Sequence, residues 1–414
     1  MTKVQFLRPF LFNSGGTIVY MVCLWIINIF VVRLSTGFSD AGNLALAMSI
    51  ANIFRTVALF GVRNFQVSDI NNEFSNNIYV TSRIITVIVS FISCFLYTLM
   101  FINTWYQRVI ILSFMLFVEG ESFIDVLNGI EQKNGKLEYV GVSLAIRGFI
   151  LLFMFLIIFP KFGLIISLLC IAFSTTIISL IYDLFSLNKI TTFKLQLNIK
   201  KIILLHKKCL PIALQNILYV CLVSIPRNSL EFLKGTKALG AYNSATIPAI
   251  ATQLIALFIF TPLINSFSEL SLRGHYNKFI KLFFIIFLFI LLTCLILITI
   301  VRLFGDIGLN ILFGQNINNY SYLLNDAMIN ASLTAIDWYL IMILTVLRKL
   351  KCIMLSHLIG FLICIFTVNW FISSYDLNGT NLVQILSLSI VNLIQIIICF
   401  KFIFLISKHN KVII

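Results

Sequence analysis

Long apolar stretches recur along the whole chain, and short polar segments separate them. Each stretch has about 18–25 residues, the length that an α-helix needs to cross the hydrocarbon core of a bilayer. Outer-membrane barrels show short alternating segments instead, and the sequence lacks that pattern. The pattern predicts about twelve transmembrane helices, over residues 11–33, 43–62, 82–102, 109–128, 141–159, 163–187, 209–231, 238–266, 279–303, 324–347, 352–373 and 380–406.

Composition agrees with this prediction. Of the 414 residues, 60% are hydrophobic and only 11% are charged, and no water-soluble fold of this length buries so much apolar surface. The longest loop, near residues 188–208, is lysine-rich and divides the predicted spans into two groups of six. No loop is long enough to fold into a catalytic domain outside the membrane.

The basic residues predict the orientation of the chain. With the N-terminus in the cytoplasm, 22 of the 30 Lys and Arg residues fall on the cytoplasmic side and six outside, and Arg55 and Arg227 remain within spans. Because cytoplasmic loops carry an excess of Lys and Arg, both termini are predicted to be cytoplasmic. The net charge of +15 is then mainly a topology signal and does not predict a nucleic-acid partner.

Residue types that carry covalent chemistry form no recognisable group. The nine cysteines lie in spans or at their inner ends without a CxxC pair, so neither a disulfide nor a metal site is expected. The histidine at position 357 is alone in its span and is interpreted as a packing residue. We therefore expect that the protein is not an enzyme and that it binds no cofactor.

Two short stretches indicate an internal repeat. GFSDAGNLALA (37–47) and GTKALGAYNSA (235–245) each join the first span of a half to the second. The matching residues are Gly37 with Gly235, Gly42 with Gly240 and Ala47 with Ala245. With six spans per half, the repeats over residues 1–195 and 196–414 are parallel, an arrangement typical of transporters with a central cavity between the halves.

Two further motifs resemble a known family. SIPRNSLEFLKGTKALGAY (224–242) is similar to the seventh-span signature of bacterial O-antigen flippases of the Wzx type, and GVRNFQVSD (61–69) is similar to their second-span signature. These proteins belong to the multidrug/oligosaccharidyl-lipid/polysaccharide exporter superfamily. Span count, the two-half layout and loop lengths extend the resemblance to the whole chain, and they imply a MATE-like fold.

The resemblance implies a flippase of the bacterial inner membrane. Its substrate would be an undecaprenyl-pyrophosphate-linked O-antigen repeat unit, moved from the cytoplasmic to the periplasmic leaflet by alternating access. Membrane lipid is a further partner, and an O-antigen polymerase and a chain-length regulator are others to consider. Two alternatives are a drug/cation antiporter of the same superfamily and an O-antigen polymerase. The sugar composition stays open at this point.

Arg227 is one of two cations within the predicted spans. On a helical wheel Asn216, Arg227 and Glu231 share one face, and Arg227 and Glu231 are four residues apart and able to pair. Such a polar face points to protein or water, not to lipid. Arg227 therefore either lines a substrate cavity, held by Glu231, or extends to the outer headgroups.

Arg55 is the second cation. It lies about two turns from the inner end of the second span, on a face that also carries Asn52, so a cavity-facing position is favoured over one at the headgroups. Gln253, in a polar stripe of the eighth span, is a further candidate for contacts with sugars, although amides also join helices. Pyrophosphate and sugars are the ligands that these side chains fit.

Carboxylates occur in two spans. Asp337 lies near the middle of the tenth span and is either an interhelical ion-pair partner or a coupling site for H+ or Na+. Glu119, Glu121 and Asp125 lie in the inner half of the fourth span, and Arg147 lies early in the fifth. These four residues are predicted to form interhelical ion pairs near a cytoplasmic gate.

Overall fold

The computed structural model describes residues 3–69, 72–189, 196–260 and 263–410, and these residues form α-helices, short 3-10 turns and no strand. The helices are α1 (Lys3–Leu34), α2 (Ser39–Leu59), α3 (Val62–Ser68), α4 (Asn76–Phe101), α5 (Trp105–Lys133), α6 (Leu137–Asn188), α7 (Ile199–Lys234), α8 (Thr236–Thr246), α9 (Ile250–Phe260), α10 (Ile264–Leu272), α11 (Tyr276–Phe313), α12 (Tyr322–Val346), α13 (Leu350–Tyr375) and α14 (Gly379–Asn410). The all-α fold is confirmed.

Each predicted span falls on a helix or, at 238–266, on a run of helices. In the described part, eight helical stretches are long and apolar enough to cross a membrane, and Leu137–Asn188 and Leu350–Phe402 each hold two predicted spans. Two predicted spans lie outside these eight. The span 109–128 carries three acids, and the span 238–266 is interrupted by a 3-10 turn at Ile247–Ala249.

Helix α4 has the residue pattern of a helix that faces lipid. Its buried face consists of small and polar residues at four-residue spacing, namely Thr86, Ser90, Cys94 and Thr98. Its exposed face consists of large apolar residues, among them Ile88, Ile92, Leu96 and Met100. A helix in water has the opposite pattern, so α4 packs its polar stripe against protein and presents its apolar face to lipid.

Residue contacts divide the chain into two compact units, Met1–Val220 and Cys221–Ile414. The predicted boundary of the repeat lies earlier, at residue 195. The difference arises because the first half of α7 packs within the first unit, where Ile202, Leu205 and Cys209 join a buried cluster with Val62 and Ile78. The division into repeats at 195 stays a prediction.

The second unit has its own apolar core. Phe267 packs edge-on against Phe279 and Tyr339, and Phe283 stacks on Tyr339, with ring centroids between 5.2 and 6.4 Å apart. The hydroxyl of Tyr339 donates to the carbonyl of Phe283 at 3.0 Å, which satisfies the one polar group in this aromatic cluster. Because α10, α11 and α12 contribute to the cluster, it holds these three helices together.

A glycine joins the fifth and sixth predicted spans within α6. Gly163 has φ +74° and ψ −174°, a conformation that is almost exclusive to glycine, and Pro160 precedes it. The helical backbone geometry is interrupted by a kink here, so α6 consists of two span-length helices. This is one place where the backbone requires a particular residue.

We predict that Gly163→Ala destabilises the protein by about 1–3 kcal/mol, because a Cβ makes this backbone conformation unfavourable. The free energy of unfolding in mixed micelles is the measurement. Gly308→Ala is the matched control, since Gly308 lies inside α11 with no atom near its missing Cβ. Equal stability of the two variants would contradict the prediction.

Candidate functional site

A polar cavity of about 50 Å³ lies within the second unit. Helices α7, α8, α9, α12 and α14 contribute to it. Its polar lining consists of Arg227, Tyr242, Thr246, Gln253, Asn330, Thr334, Asn381 and Gln384. The remaining lining residues are small or aliphatic, and no carboxylate is among the described lining residues. The cavity therefore favours anionic or neutral polar ligands over cations.

Hydrogen bonds between helices hold the lining amides in place. Asn330 donates to Gln384 Oε1 at 2.7 Å, and Gln384 in turn donates to the carbonyl of Val223 at 3.3 Å. The hydroxyl of Tyr242 donates to Asn381 Oδ1 at 2.8 Å. These bonds fix the orientation of Asn330, Gln384 and Asn381, while Asn330 Oδ1 accepts from no described residue.

Arg227 provides the positive charge of the cavity. It follows the buried Pro226 near the end of α7, and its side chain is half-buried. Its Nε atom is buried and donates to no described residue. A guanidinium is planar and presents five N–H donors in fixed directions. Arg227 therefore retains donor capacity toward a ligand in the cavity.

The predicted pair of Arg227 with Glu231 stays a prediction. Glu231 accepts a hydrogen bond from Thr236 Oγ1 at 3.1 Å, across the turn at Gly235. The helical spacing places both side chains on one face, but Glu231 lies one turn closer to the helix end and interacts there. A role of Glu231 in substrate binding stays a prediction.

The other predicted substrate-binding residues are distributed over both units. Gln253 lines the cavity of the second unit, as described above. Asn216 is half-buried and belongs to the part of α7 in the first unit. On α2 of the first unit, Arg55 is exposed and Asn52 is half-buried. Their predicted contacts with substrate stay predictions.

Two of the four predicted gate residues form an ion pair. Arg147 on α6 donates to Glu121 on α5 at 2.9 Å, and both side chains are buried. The hydroxyl of Tyr20 on α1 donates to the same carboxylate at 3.0 Å. Three helices therefore meet at one buried carboxylate. The role of this pair as a gate stays a prediction.

Asp125 pairs with partners that the sequence interpretation did not assign to it. Arg63 on α3 donates to it at 2.8 Å and Arg83 on α4 at 3.0 Å. Arg83 has no solvent exposure and also donates to the carbonyl of Ala58 at 2.6 Å. Sequence reasoning counted both arginines as cytoplasmic topology charges. No sequence signal distinguishes a basic residue at a span end from one that turns inward.

Glu119 does not join these ion pairs, contrary to expectation. Its side chain is buried, and neither carboxylate oxygen accepts a hydrogen bond from a described residue. Ser90 on α4 is nearby, but its hydroxyl donates to the carbonyl of Phe54 at 2.7 Å. Arg83 is the nearby cation, and it is already bound to Asp125.

Two further buried acids of the first unit escaped the sequence interpretation. Ser143 donates to Asp183 at 3.1 Å, and Ser186 contacts Glu131. Both acids have no solvent exposure. Each lies close to a predicted span end, where an acid is ordinarily solvated, so hydropathy gave no sign of their burial.

Asp337 is fully buried in the second unit and has two partners from other helices. His357 Nε2 on α13 lies 3.1 Å from one carboxylate oxygen, and Gln395 on α14 donates to the other at 2.8 Å. The interpretation of His357 as packing is therefore incomplete. The sequence contained a signal for this contact. Asp337 and His357 lie at similar distances from the tight turn between α12 and α13, and such residues of antiparallel helices lie at similar depth in the membrane.

The motif GVRNFQVSD joins α3 to its neighbours. Gln66 donates to the carbonyl of Val126 at 3.3 Å, and Gly129 leaves room for the Gln66 side chain. Asp69, which follows α3, accepts from the backbone N–H groups of Glu73 and Phe74 at 2.9 and 3.2 Å. The motif thus has a structural role at this helix end.

The charged form of Asp69 is stabilised by these contacts. Burial by itself raises the pKa of this carboxyl, but hydrogen bonds from the Glu73 backbone, Tyr79 and the Phe74 backbone, with Lys133 nearby, hold the pKa below its usual value. The hydroxyl of Tyr79 donates at 2.8 Å, and Lys133 Nζ lies 3.7 Å away. Asp69 is therefore ionised at neutral pH.

The chain matches no protein-family model. A similar curated protein is the capsular polysaccharide biosynthesis protein CapF of Staphylococcus aureus. The two sequences are 28% identical over 322 residues, which cover 74% of this chain and 77% of CapF.

Solved transporters of the MOP superfamily share the fold. A multidrug resistance MATE family transporter matches in its inward-facing conformation with a TM-score of 0.71 and 11% identity, over 95% of this chain and 99% of that chain. A multidrug resistance MATE family transporter in an outward-facing conformation matches with a TM-score of 0.67 and 13% identity, over 98% of this chain and 96% of that chain. A MOP superfamily transporter from Pyrococcus furiosus matches with a TM-score of 0.64 and 14% identity, over 98% of this chain and 96% of that chain. The MATE-like fold that the resemblance implied is thus confirmed.

We predict that Asp69→Asn lowers the free energy of unfolding by about 1–3 kcal/mol near pH 7, because an amide replaces a charged acceptor. A group whose pKa is lowered by folding stabilises above its unfolded pKa of about 3.9, and the effect is lost as the pH falls below that value. Unfolding in mixed micelles from pH 3 to pH 7 measures the difference.

Glu73→Gln is the control, since Glu73 has an exposed side chain whose ion pair with Lys208 contributes little. A difference between Asp69→Asn and wild type that does not shrink in acid would contradict the assignment.

Proposed function

We propose that this protein is a flippase for polyprenyl-pyrophosphate-linked oligosaccharide repeat units, with the O-antigen repeat unit as its substrate. The observation that carries the proposal is the lining of the second unit's cavity, which combines one arginine with amides and hydroxyls and contains no carboxylate among its described residues. The shared fold with MOP superfamily transporters and the similarity to CapF support it.

The chemistry of the substrate fits these surfaces. A pyrophosphate needs cations, and the guanidinium of Arg227 matches two phosphate oxygens at once. Sugar hydroxyls exchange hydrogen bonds with amides and with other hydroxyls, such as Gln253 and Thr334. A polyprenyl tail stays in lipid, beside apolar faces such as that of α4. Transport then requires no covalent step.

Arg55 is the proposed second phosphate contact. It lies on α2 in the first unit and its side chain is exposed. Arg55 and Arg227 are the two cations that the charge analysis leaves within the spans, one in each unit. Successive contacts with the pyrophosphate would guide it across the membrane while access alternates between the two sides.

A capsular repeat unit is the second candidate substrate, because CapF is a capsular polysaccharide biosynthesis protein. The drug/cation antiporter alternative is less favoured. A cationic drug needs acids in its binding site, and the cavity of the second unit has an arginine instead. The transporter fold also favours transport over the polymerase alternative. Inner-membrane location, cytoplasmic termini and contact with a polymerase and a chain-length regulator are part of this proposal.

Deletion of the gene tests the function. We expect loss of surface polysaccharide and accumulation of lipid-linked repeat units in the inner leaflet, measured by accessibility of the glycan in membrane vesicles of known orientation. Restoration of the polysaccharide by the wild-type chain is the control. Unchanged polysaccharide together with increased drug sensitivity would support the antiporter instead.

We predict that Arg227→Ala abolishes complementation and that Arg55→Ala does the same, while both variants stay in the membrane. Lys at either position should restore only part of the activity, because an ammonium lacks the planar fork of the guanidinium. Surface polysaccharide per amount of membrane-inserted protein is the measurement.

Arg302→Ala is the matched control, since Arg302 is an exposed arginine of α11 that does not line the cavity. Full activity of both Arg227→Ala and Arg55→Ala would refute the proposed phosphate contacts.

A further inference from the structure

Asp337, His357 and Gln395 form a hydrogen-bonded cluster inside the second unit, which we call the Asp337 cluster. They belong to α12, α13 and α14, and none of the three has solvent exposure. Gln395 donates to Asp337 Oδ1 at 2.8 Å and lies 3.2 Å from Ser356 Oγ. A full charge at such a place is expensive unless a partner neutralises it.

The contacts of His357 determine how many protons the cluster holds. Nδ1 lies 2.9 Å from the carbonyl oxygen of Ile353, and Nε2 lies 3.1 Å from Asp337 Oδ2. A carbonyl has no hydrogen to donate, so Nδ1 carries one. A neutral imidazole has only that one N–H. The hydrogen bond to Asp337 therefore needs a second proton, either on Nε2 or on the carboxyl group.

We infer that Asp337 and His357 together form a buried proton-binding site that holds one proton between carboxylate and imidazole, and that a proton is the coupling ion of the transporter. The second part rests on the proposed function, whereas the first part does not. With its proton the pair is neutral overall, and without it a buried negative charge remains. Proton binding thus changes the relative stability of conformations that differ in how they solvate the pair.

Sodium fits the cluster poorly. Hard cations bind through several oxygen ligands. Here both oxygens of Asp337 already receive contacts from nitrogen atoms, of Gln395 and His357. A sodium ion would have to displace both partners.

Other titratable groups near the cluster do not supply a permanent counter-charge. In the described part of the chain, no Lys or Arg nitrogen lies within 4.0 Å of Asp337. On α12, Tyr339 donates its hydroxyl to the Phe283 carbonyl of α11, and on α14 the thiol of Cys399 is buried one turn after Gln395. The basic residues Arg348, Lys349 and Lys351 lie at the turn between α12 and α13.

Proton binding is tested without any substrate. Above about pH 7 an unfolded chain holds no extra proton on Asp337 and His357, because the ordinary pKa of histidine is about 6.5. Unfolding should then release the shared proton, so the pair makes the unfolding equilibrium constant rise about tenfold per pH unit. Equilibrium unfolding in mixed micelles from pH 7 to pH 9 measures this slope.

Asp337→Asn and His357→Gln should each remove this contribution, and the control Asp326→Asn should retain it. Asp326 lies on the same helix and accepts from Asn378 at 2.7 Å, without a histidine partner. If Asp337→Asn does not fold, His357→Gln carries the test alone. An unchanged slope in a folded variant overturns the proton site.

Coupling is tested in proteoliposomes that contain a lipid-linked oligosaccharide, under an imposed gradient of protons or of sodium. We expect the proton gradient alone to accelerate flipping by the wild type and by Asp326→Asn, and to have no effect on Asp337→Asn or His357→Gln. Acceleration by sodium alone, or a full response of both variants to the proton gradient, overturns the coupling role. If the wild type moves no substrate under any condition, the proposed function fails, and the unfolding titration still decides the proton site.

Discussion

Because lipid offers no hydrogen-bond partners, a buried polar group of this protein is stabilised only by partners within the protein, and groups that lack one among the described residues, such as the carboxylate of Glu119, are the exceptions. That constraint explains why α4 turns Thr86, Ser90 and Thr98 inward and its large apolar residues outward. It also explains why an arginine as large as Arg83 is completely buried. Its guanidinium reaches a carboxylate and a backbone carbonyl, and those contacts make burial tolerable.

The two units satisfy this constraint with different chemistry. The first unit uses ion pairs, as in Arg147 with Glu121 and in Asp125 with its two arginines. Around its cavity the second unit uses uncharged hydrogen bonds, as in Asn330 with Gln384. The pair of Arg147 with Glu121 leaves no net charge for a ligand, and the two arginines at Asp125 are both already bound to that carboxylate. A network of amides around one arginine leaves a positive charge, so the second unit is the better place for an anion.

The helices were predictable from the sequence because bilayer thickness sets their length, and almost any apolar run of that length forms one. Side-chain partners were far less predictable. Helical spacing placed Arg227 and Glu231 on one face, but it gave no sign that Thr236, across the turn at Gly235, donates a hydrogen bond to Glu231. Partners on separate helices depend on depth in the membrane. Asp337 lies nine residues before the end of α12 and His357 seven residues after the start of α13, which brings them to one level.

Hydropathy also gives no information about which basic residues turn inward. Arg63 and Arg83 lie at span ends, where the positive-inside rule accounts for them fully, and only packing shows that they bind Asp125. The same holds for Glu131 and Asp183, which lie near span ends and are nevertheless buried. A span end is therefore the region where sequence patterns are least informative about function.

The arrangement of the cavity bears on which part of a substrate is recognised. The amides of Asn330 and Gln384 bind each other, and the Tyr242 hydroxyl is bound to Asn381. Groups already engaged in this way are costly to redirect toward a particular sugar, because each exchange leaves a former partner unsatisfied. Arg227 has no such commitment at its buried Nε. A phosphate gains charge-assisted hydrogen bonds there, whereas a neutral sugar does not. Under the proposed function, the anionic carrier group is therefore the part of the substrate that Arg227 is best placed to bind.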